Sequence, residues 1–268
     1  MNDFLGLITY PFVYRALIAG AMISVCAAVL GVVLVLRHYS LIGHGLSEIG
    51  FASLSLSSAL GIPPMYIATP SVIAASFIII HISRKHETSG DTAIAVASSA
   101  ALALGIAVSS LSGTASNMSA YLFGSVLAVS DADMWLAVVL SAAVIGAFIV
   151  LYNRLFLITY SEPYARSLGI NTAMYQVIIS VLTALVVVAG MRITGTLLIS
   201  GVIILPTVSA RIIARGFRSL VIIAGAVSLV AFIAGLGLSF VVNIPAGAGV
   251  IIANAAILII TRIFGGRP

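Results

Sequence analysis

The chain has 268 residues, of which 62% are hydrophobic and only 7% are charged, and its mean hydropathy is +1.26. A soluble domain carries roughly 25% charged residues, so this composition cannot cover a water-facing surface, and a soluble enzyme or a nucleic-acid-binding module is excluded. It describes an all-α, polytopic helical membrane protein: a single transmembrane domain over residues 1–268, about nine spans (eight to ten fit) of about 20 residues each, and no room for a sizeable soluble domain.

Long apolar runs between polar or turn-rich breaks mark the spans. The N-terminus carries Asp3 rather than a basic cluster, and no small-residue cleavage site follows the first run. That run is therefore expected to be a retained span, not a signal peptide. It covers residues 12–36 and contains the single cysteine, Cys26, which reads as a small apolar residue. The second span covers 41–60 and stops at Gly61-Ile62-Pro63-Pro64. The third (65–83) and fourth (91–111) flank a charged break around Arg84-Lys85-His86-Glu87. Residues 121–129 are apolar but too few to cross a bilayer, which predicts a half-helix or re-entrant piece. The fifth span covers 131–152, and residues 153–171 are expected to form the longest polar loop. The sixth (172–191), seventh (195–213), eighth (219–242) and ninth (246–263) complete the set. Pro70 and Pro206 fall inside spans and predict kinks.

Orientation follows from the basic residues. With the N-terminus outside and nine spans, Arg37, Arg84, Lys85, Arg154, Arg166, Arg211, Arg215, Arg218, Arg262 and Arg267 face the cytoplasm, as does the C-terminus. Only Arg15 and Arg192 face outward, which satisfies the positive-inside rule. The net charge of +5 is then a topology signal rather than a sign of nucleic acid. Arg192 is expected either to meet a carboxylate of a docking protein or to snorkel to headgroups.

Catalytic motifs are missing. There is no G-x-x-x-x-G-K-[ST], and Lys85 is the only lysine, so the chain holds no P-loop for ATP. No C-x-x-C, H-E-x-x-H or G-x-S-x-G occurs. No catalytic residue is expected.

Glu48 is the one carboxylate well inside a span, and His44 precedes it by four residues. On a helix the two share a face. Imidazole and carboxylate together suit a divalent metal such as zinc or manganese. The pair is either a transport site or an internal hydrogen bond that only joins helices. Two ligands fall short of a closed zinc site, which takes four; a two-fold homodimer would supply them. His38, His81 and His86 sit near predicted span ends and read as interfacial. Within the long loop, Ser161 suits an N-cap, Glu162 and Pro163 a first turn, and Gly169 a C-cap. This predicts a short helix that is either gripped by a partner ATPase or laid on the membrane surface.

Four stretches resemble the membrane permease of ABC importers for zinc, manganese and iron. They are Ser40-Leu41-Ile42-Gly43-His44-Gly45-Leu46-Ser47-Glu48, Tyr121-Leu122-Phe123-Gly124-Ser125-Val126-Leu127, Glu162 through Ile170, and Gly195-Thr196-Leu197-Leu198 through Pro206 to Ala210-Arg211. The resemblance spans nearly the whole chain. It implies a type II-like permease in the plasma membrane of a prokaryote. It implies a homodimer that works with two cytoplasmic ABC ATPase subunits, an extracytoplasmic metal-binding protein and membrane lipid. Hydrolysis of ATP then belongs to another subunit. The divalent metal ion is transported cargo, and no cofactor is held permanently. Metal binding would fall to His44 and Glu48. Here His stands where the family has Asp, and Glu where it has His; the chemistry is kept and the order swapped. The segment Glu162, Pro163, Tyr164, Ala165, Arg166, Ser167, Leu168 and Gly169 is similar to the ATPase-coupling loop. The rivals are a permease for a metal chelate (siderophore or cobalamin), a non-transporting membrane scaffold or receptor, and a proton-coupled carrier using Glu48.

Overall fold

The computed structural model describes residues 11–85, 90–113, 118–124 and 130–265. Among them every regular element is helical. In chain order these are α1 (Pro11–Leu36), α2 (Ser40–Leu60), α3 (Pro64–Lys85), α4 (Gly90–Leu111), α5 (Met118–Phe123), α6 (Asp131–Tyr160), α7 (Glu162–Ser167), α8 (Thr172–Gly190), α9 (Ile199–Ile213), α10 (Phe217–Val242) and α11 (Ala246–Gly265). Six of them, α1, α4, α6, α8, α10 and α11, are long and apolar enough to cross a membrane, and α3 and α9 are shorter apolar helices. The 21-residue α2 carries six serines besides His44 and Glu48, which dilutes its apolar character.

Burial sorts the helices into centre and rim. The most apolar windows of α1 and α8 are 67% and 61% buried, those of α4, α6 and α11 only 22%. Lipid is as apolar as leucine, so close contact and polar stitches hold such a bundle together rather than hydrophobic burial. Gly31 shows the first effect, since a Cβ there would lie 2.0 Å from the Ile203 carbonyl of α9. Ser228 of α10 donates to the Ser24 carbonyl at 2.8 Å, and Thr207 of α9 donates to the Ala28 carbonyl at 3.3 Å. Both bonds fasten a neighbouring helix to central α1.

Three sequence expectations change. The fifth span does not stop at residue 152: α6 continues to Tyr160. Residues 155–160 are largely apolar, Leu155 and Ile158 are buried, and Arg154 donates to the Tyr175 hydroxyl of α8 at 3.0 Å. The expected loop of residues 153–171 is thus mostly helix. The seventh span does not begin at Gly195; residues 191–198 form turns, and α9 starts at Ile199. Arg192 neither waits for a docking protein nor reaches for headgroups. It forms an ion pair with Asp133 of α6.

The expected half-helix does form, as α5, though it starts earlier than residue 121; residues 125–129 lie outside the described residues. Its open end meets the turns of 191–198. Thr196 N–H donates to the Tyr121 carbonyl at 3.0 Å and Leu197 N–H to the Leu122 carbonyl at 3.2 Å. A helix broken off at membrane depth needs its backbone groups satisfied by protein, and these turns satisfy them. Gly124 and Gly195, with φ of +77° and +87°, let the two segments touch. A Cβ on Gly195 would lie 2.3 Å from the Leu122 carbonyl.

Candidate functional site

His44 and Glu48 both lie on α2, one turn apart, with His44 Nε2 3.2 Å from Glu48 Oε1. The His44 side chain is 41% exposed and that of Glu48 only 8%. The second carboxylate oxygen, Oε2, is buried and has no hydrogen-bond partner. A buried carboxylate oxygen left bare is costly. The helix therefore carries one carboxylate oxygen paired with His44 and one buried without a partner.

The rest of α2 places His44 on the helix face that is least covered in one chain, with Glu48 buried beneath it. Leu41, Leu56 and Leu60 are exposed, and His44 and Ala52 are half-buried. With Glu48 they form one stripe at spacings of three and four residues, a single helix face. The opposite faces are held tight. A Cβ on Gly45 would lie 2.8 Å from Ile94 of α4, one on Gly43 would lie 3.3 Å from Ile203 of α9, and Phe51 is fully buried. Among the described residues, no group of three or more His, Cys, Asp or Glu side chains converges. Among the described residues the pair gains no third such ligand. Of the other histidines, His38 is exposed in the turn after α1; the side chains of His81 and His86 fall outside the described residues.

The predicted short helix is α7. The Ser161 hydroxyl accepts from Tyr164 N–H at 3.4 Å as its N-cap. Gly169 sits one residue beyond the C-cap Leu168, at φ +77°, where its N–H and that of Ile170 close the last turn. Ala165 is fully buried and seats the helix. Tyr164 and Leu168, 55% and 54% exposed, point away from the bundle together with Pro163, Arg166, Ser167 and Gly169.

Glu162 ties α7 to the bundle. It forms an ion pair with Arg37, at the end of α1, and accepts from Arg166 at 2.6 Å. Gln176 Nε2 of α8 lies 3.5 Å from both Glu162 oxygens and from the Tyr39 hydroxyl. The Arg37 side chain is 6% exposed, and its guanidinium lies over the Tyr39 ring, 5.4 Å from the centroid. Burial pushes the Glu162 carboxyl up, but the Arg166 hydrogen bond, the Arg37 charge and Thr172 outweigh that. They hold it below the usual 4.5. In the sequence Arg37 reads only as a topology marker, because its partner lies 125 residues away.

Residues 9–265 match the ABC 3 transport family. The chain belongs to the ABC 3 transport family. Members named from other organisms align over almost their full length. The manganese import system permease protein ScaB of Streptococcus gordonii is 30% identical over 96% of this chain and 92% of its own. The manganese transport system membrane protein MntC of Listeria monocytogenes is 27% identical over 98% and 94%. Among solved structures, PsaBC from Streptococcus pneumoniae, in complex with Fab, superposes with a TM-score of 0.86 at 28% identity, covering 96% of this chain and 93% of that one. An inward-facing metal-chelate type ABC transporter shares the fold at a TM-score of 0.74 and 17% identity. The ABC 3 transport family assignment makes this chain the multi-pass permease component of an ABC system and agrees with its lack of a P-loop.

Proposed function

We propose that the chain is the permease subunit of an ATP-driven importer for a divalent transition-metal ion, with His44 and Glu48 as transient ligands in the path. The observation that carries this reading is the buried, unpartnered Glu48 Oε2 beside His44 on the open stripe of α2. Manganese is the cargo named for the ScaB and MntC relatives, which favours it over zinc and iron. Two ligands suit an ion that must leave again, since tight coordination would trap it. Because the stripe is uncovered in one chain, a second copy completes the wall, and two such pairs supply four ligands. ATP is hydrolysed by a separate cytoplasmic subunit that grips Tyr164 and Leu168. An extracytoplasmic metal-binding protein delivers the ion. The protein lies in the plasma membrane with α7 and the C-terminus in the cytoplasm.

Arg37 and Glu162 are positioning residues in this scheme. Movement of α7 reaches the end of α1 through their ion pair, and α2 begins at Ser40, three residues further on. The motion thus arrives at the helix that carries the metal ligands.

The test is ATP-dependent uptake of manganese, zinc and iron(II) into proteoliposomes holding the permease, its ATPase and its binding protein. His44→Ala/Glu48→Ala is expected to abolish uptake while the ATPase still co-purifies. Uptake unchanged in the double variant would make the pair structural. Retained uptake of a metal chelate would favour the chelate permease.

A further inference from the structure

Two clefts open side by side at the α7 end of the bundle, divided by an aromatic wall. The Phe217 ring lies 5.3 Å from that of Phe156 and 5.5 Å from that of Tyr152, centroid to centroid. One cleft, of about 570 Å³, has Arg211, Arg215, Thr159 and Tyr160 at its edges. The other, of about 540 Å³, is walled by Ile145, Ile149 and Ile222 and has Arg218 and Asn153 among its lining residues. Asn153 and Ile145 are eight residues apart on α6, about 12 Å along the axis. The second cleft therefore runs from a polar mouth toward the middle of the bundle.

Charge and apolar surface are both left uncovered here. Ile149 is 67% exposed and Ile222 61%. Among the described residues, the guanidinium groups of Arg211, Arg215 and Arg218 have no ion pair or hydrogen bond, and Thr159 Oγ1 is buried without a partner. Arg15, Arg37, Arg166 and Arg192, by contrast, each meet a carboxylate. The mouth also coincides with the start of α10, whose helix dipole favours an anion. A soluble anion would leave the isoleucine groove bare, and a neutral lipid would leave the cations unpaired.

We propose that this corner binds an anionic phospholipid of the inner leaflet, with its phosphate at Arg215 and Arg218 and an acyl chain along Ile145, Ile149 and Ile222. The assignment of leaflet rests on the orientation given under the proposed function; the binding chemistry does not. Cytoplasmic leaflets are rich in anionic lipid, and basic pockets between transmembrane helices on that side hold such headgroups.

Native mass spectrometry of the full permease–ATPase complex, titrated with phosphatidylglycerol and phosphatidylcholine of equal chain length, tests this. The parent is expected to prefer phosphatidylglycerol by about 25-fold, roughly fivefold per guanidinium, and Arg215→Gln/Arg218→Gln to cut the preference to about twofold or less. Ile149→Trp, at an exposed position, is expected to lower occupancy of both lipids. An unchanged preference in the arginine variant, or unchanged occupancy in Ile149→Trp, overturns the proposal. Loss of the ATPase from the arginine variant with lipid preference intact assigns the arginines to ATPase docking and likewise overturns it. His44→Ala/Glu48→Ala is expected to keep the full lipid preference, so failure of the metal reading leaves this result standing.

Discussion

Glu48 is the side chain on which the proposed metal chemistry rests. A buried carboxylate normally finds every partner it can, and this one leaves Oε2 bare. Glu48→Gln keeps the shape and removes the charge. Uptake is expected to fall by about 100-fold if each pair loses its anionic ligand, while the melting temperature holds or rises. Equal uptake by the two forms would disprove the ligand role. Glu162 is a different case, because its charge is already matched. Its carboxyl is held below 4.5. The stability it contributes is complete above that value and is lost as pH falls through the lower, folded pKa. Docking of α7 is thus expected to be insensitive to pH across the neutral range and to loosen only under acid. Hydrogen exchange of the α7 amides against pH measures this, and loosening near neutrality would contradict it.

At the scale of elements, the ion pair between α7 and Arg37 joins the surface proposed to meet the ATPase to the end of α1, three residues before the helix proposed to hold the metal ligands. Glu162→Gln leaves the Arg37 charge, 6% exposed, without its carboxylate. Breaking one side of such a pair costs about 2 kcal/mol or more. Transport per ATP hydrolysed is expected to drop, with partial rescue by the exchange Arg37→Glu/Glu162→Arg. A merely structural pair would lower protein yield without changing that ratio. Tyr164→Ala/Leu168→Ala removes exposed side chains, so permease stability is expected to stay within about 0.5 kcal/mol. Affinity for the ATPase should nevertheless fall by about 2 kcal/mol if these are anchor residues. The junction of α5 with residues 191–198 is the other coupled element. Gly195→Ala must strain a left-handed backbone and meet the Leu122 carbonyl, at about 1–2 kcal/mol for the conformation alone. Thermal unfolding checks it, and an unshifted midpoint would refute the close approach.

The whole molecule is open along the α2 stripe and along α4, where Val96, Leu104 and Leu111 are 66%, 65% and 90% exposed. Leu60 and Leu111 close their helices at the same end of the bundle. In a Cys26→Ser background, cysteines at Leu60 or Leu111 are expected to cross-link two copies in the membrane. Monomer alone after complete thiol modification would argue against the homodimer.

Several features followed from local chemistry and needed no fold. The membrane class came from composition. Most helix ends came from Pro, Gly and charged breaks, and the α7 cap came from Ser161, because each depends on residues within a few positions. The His44–Glu48 approach is of the same kind, since a four-residue step on a helix fixes it. What the sequence misjudged was decided by partners far along the chain. α6 continues past Tyr152 because α8 and the core receive Arg154, Leu155 and Ile158. α9 starts late because residues 191–198 bond to α5. Arg37 and Arg192 are ion-pair residues because Glu162 and Asp133 fold against them. A sequence records which side chains can bond. Only packing brings residues 59 and 125 positions apart within reach and leaves the second oxygen of Glu48 without a partner.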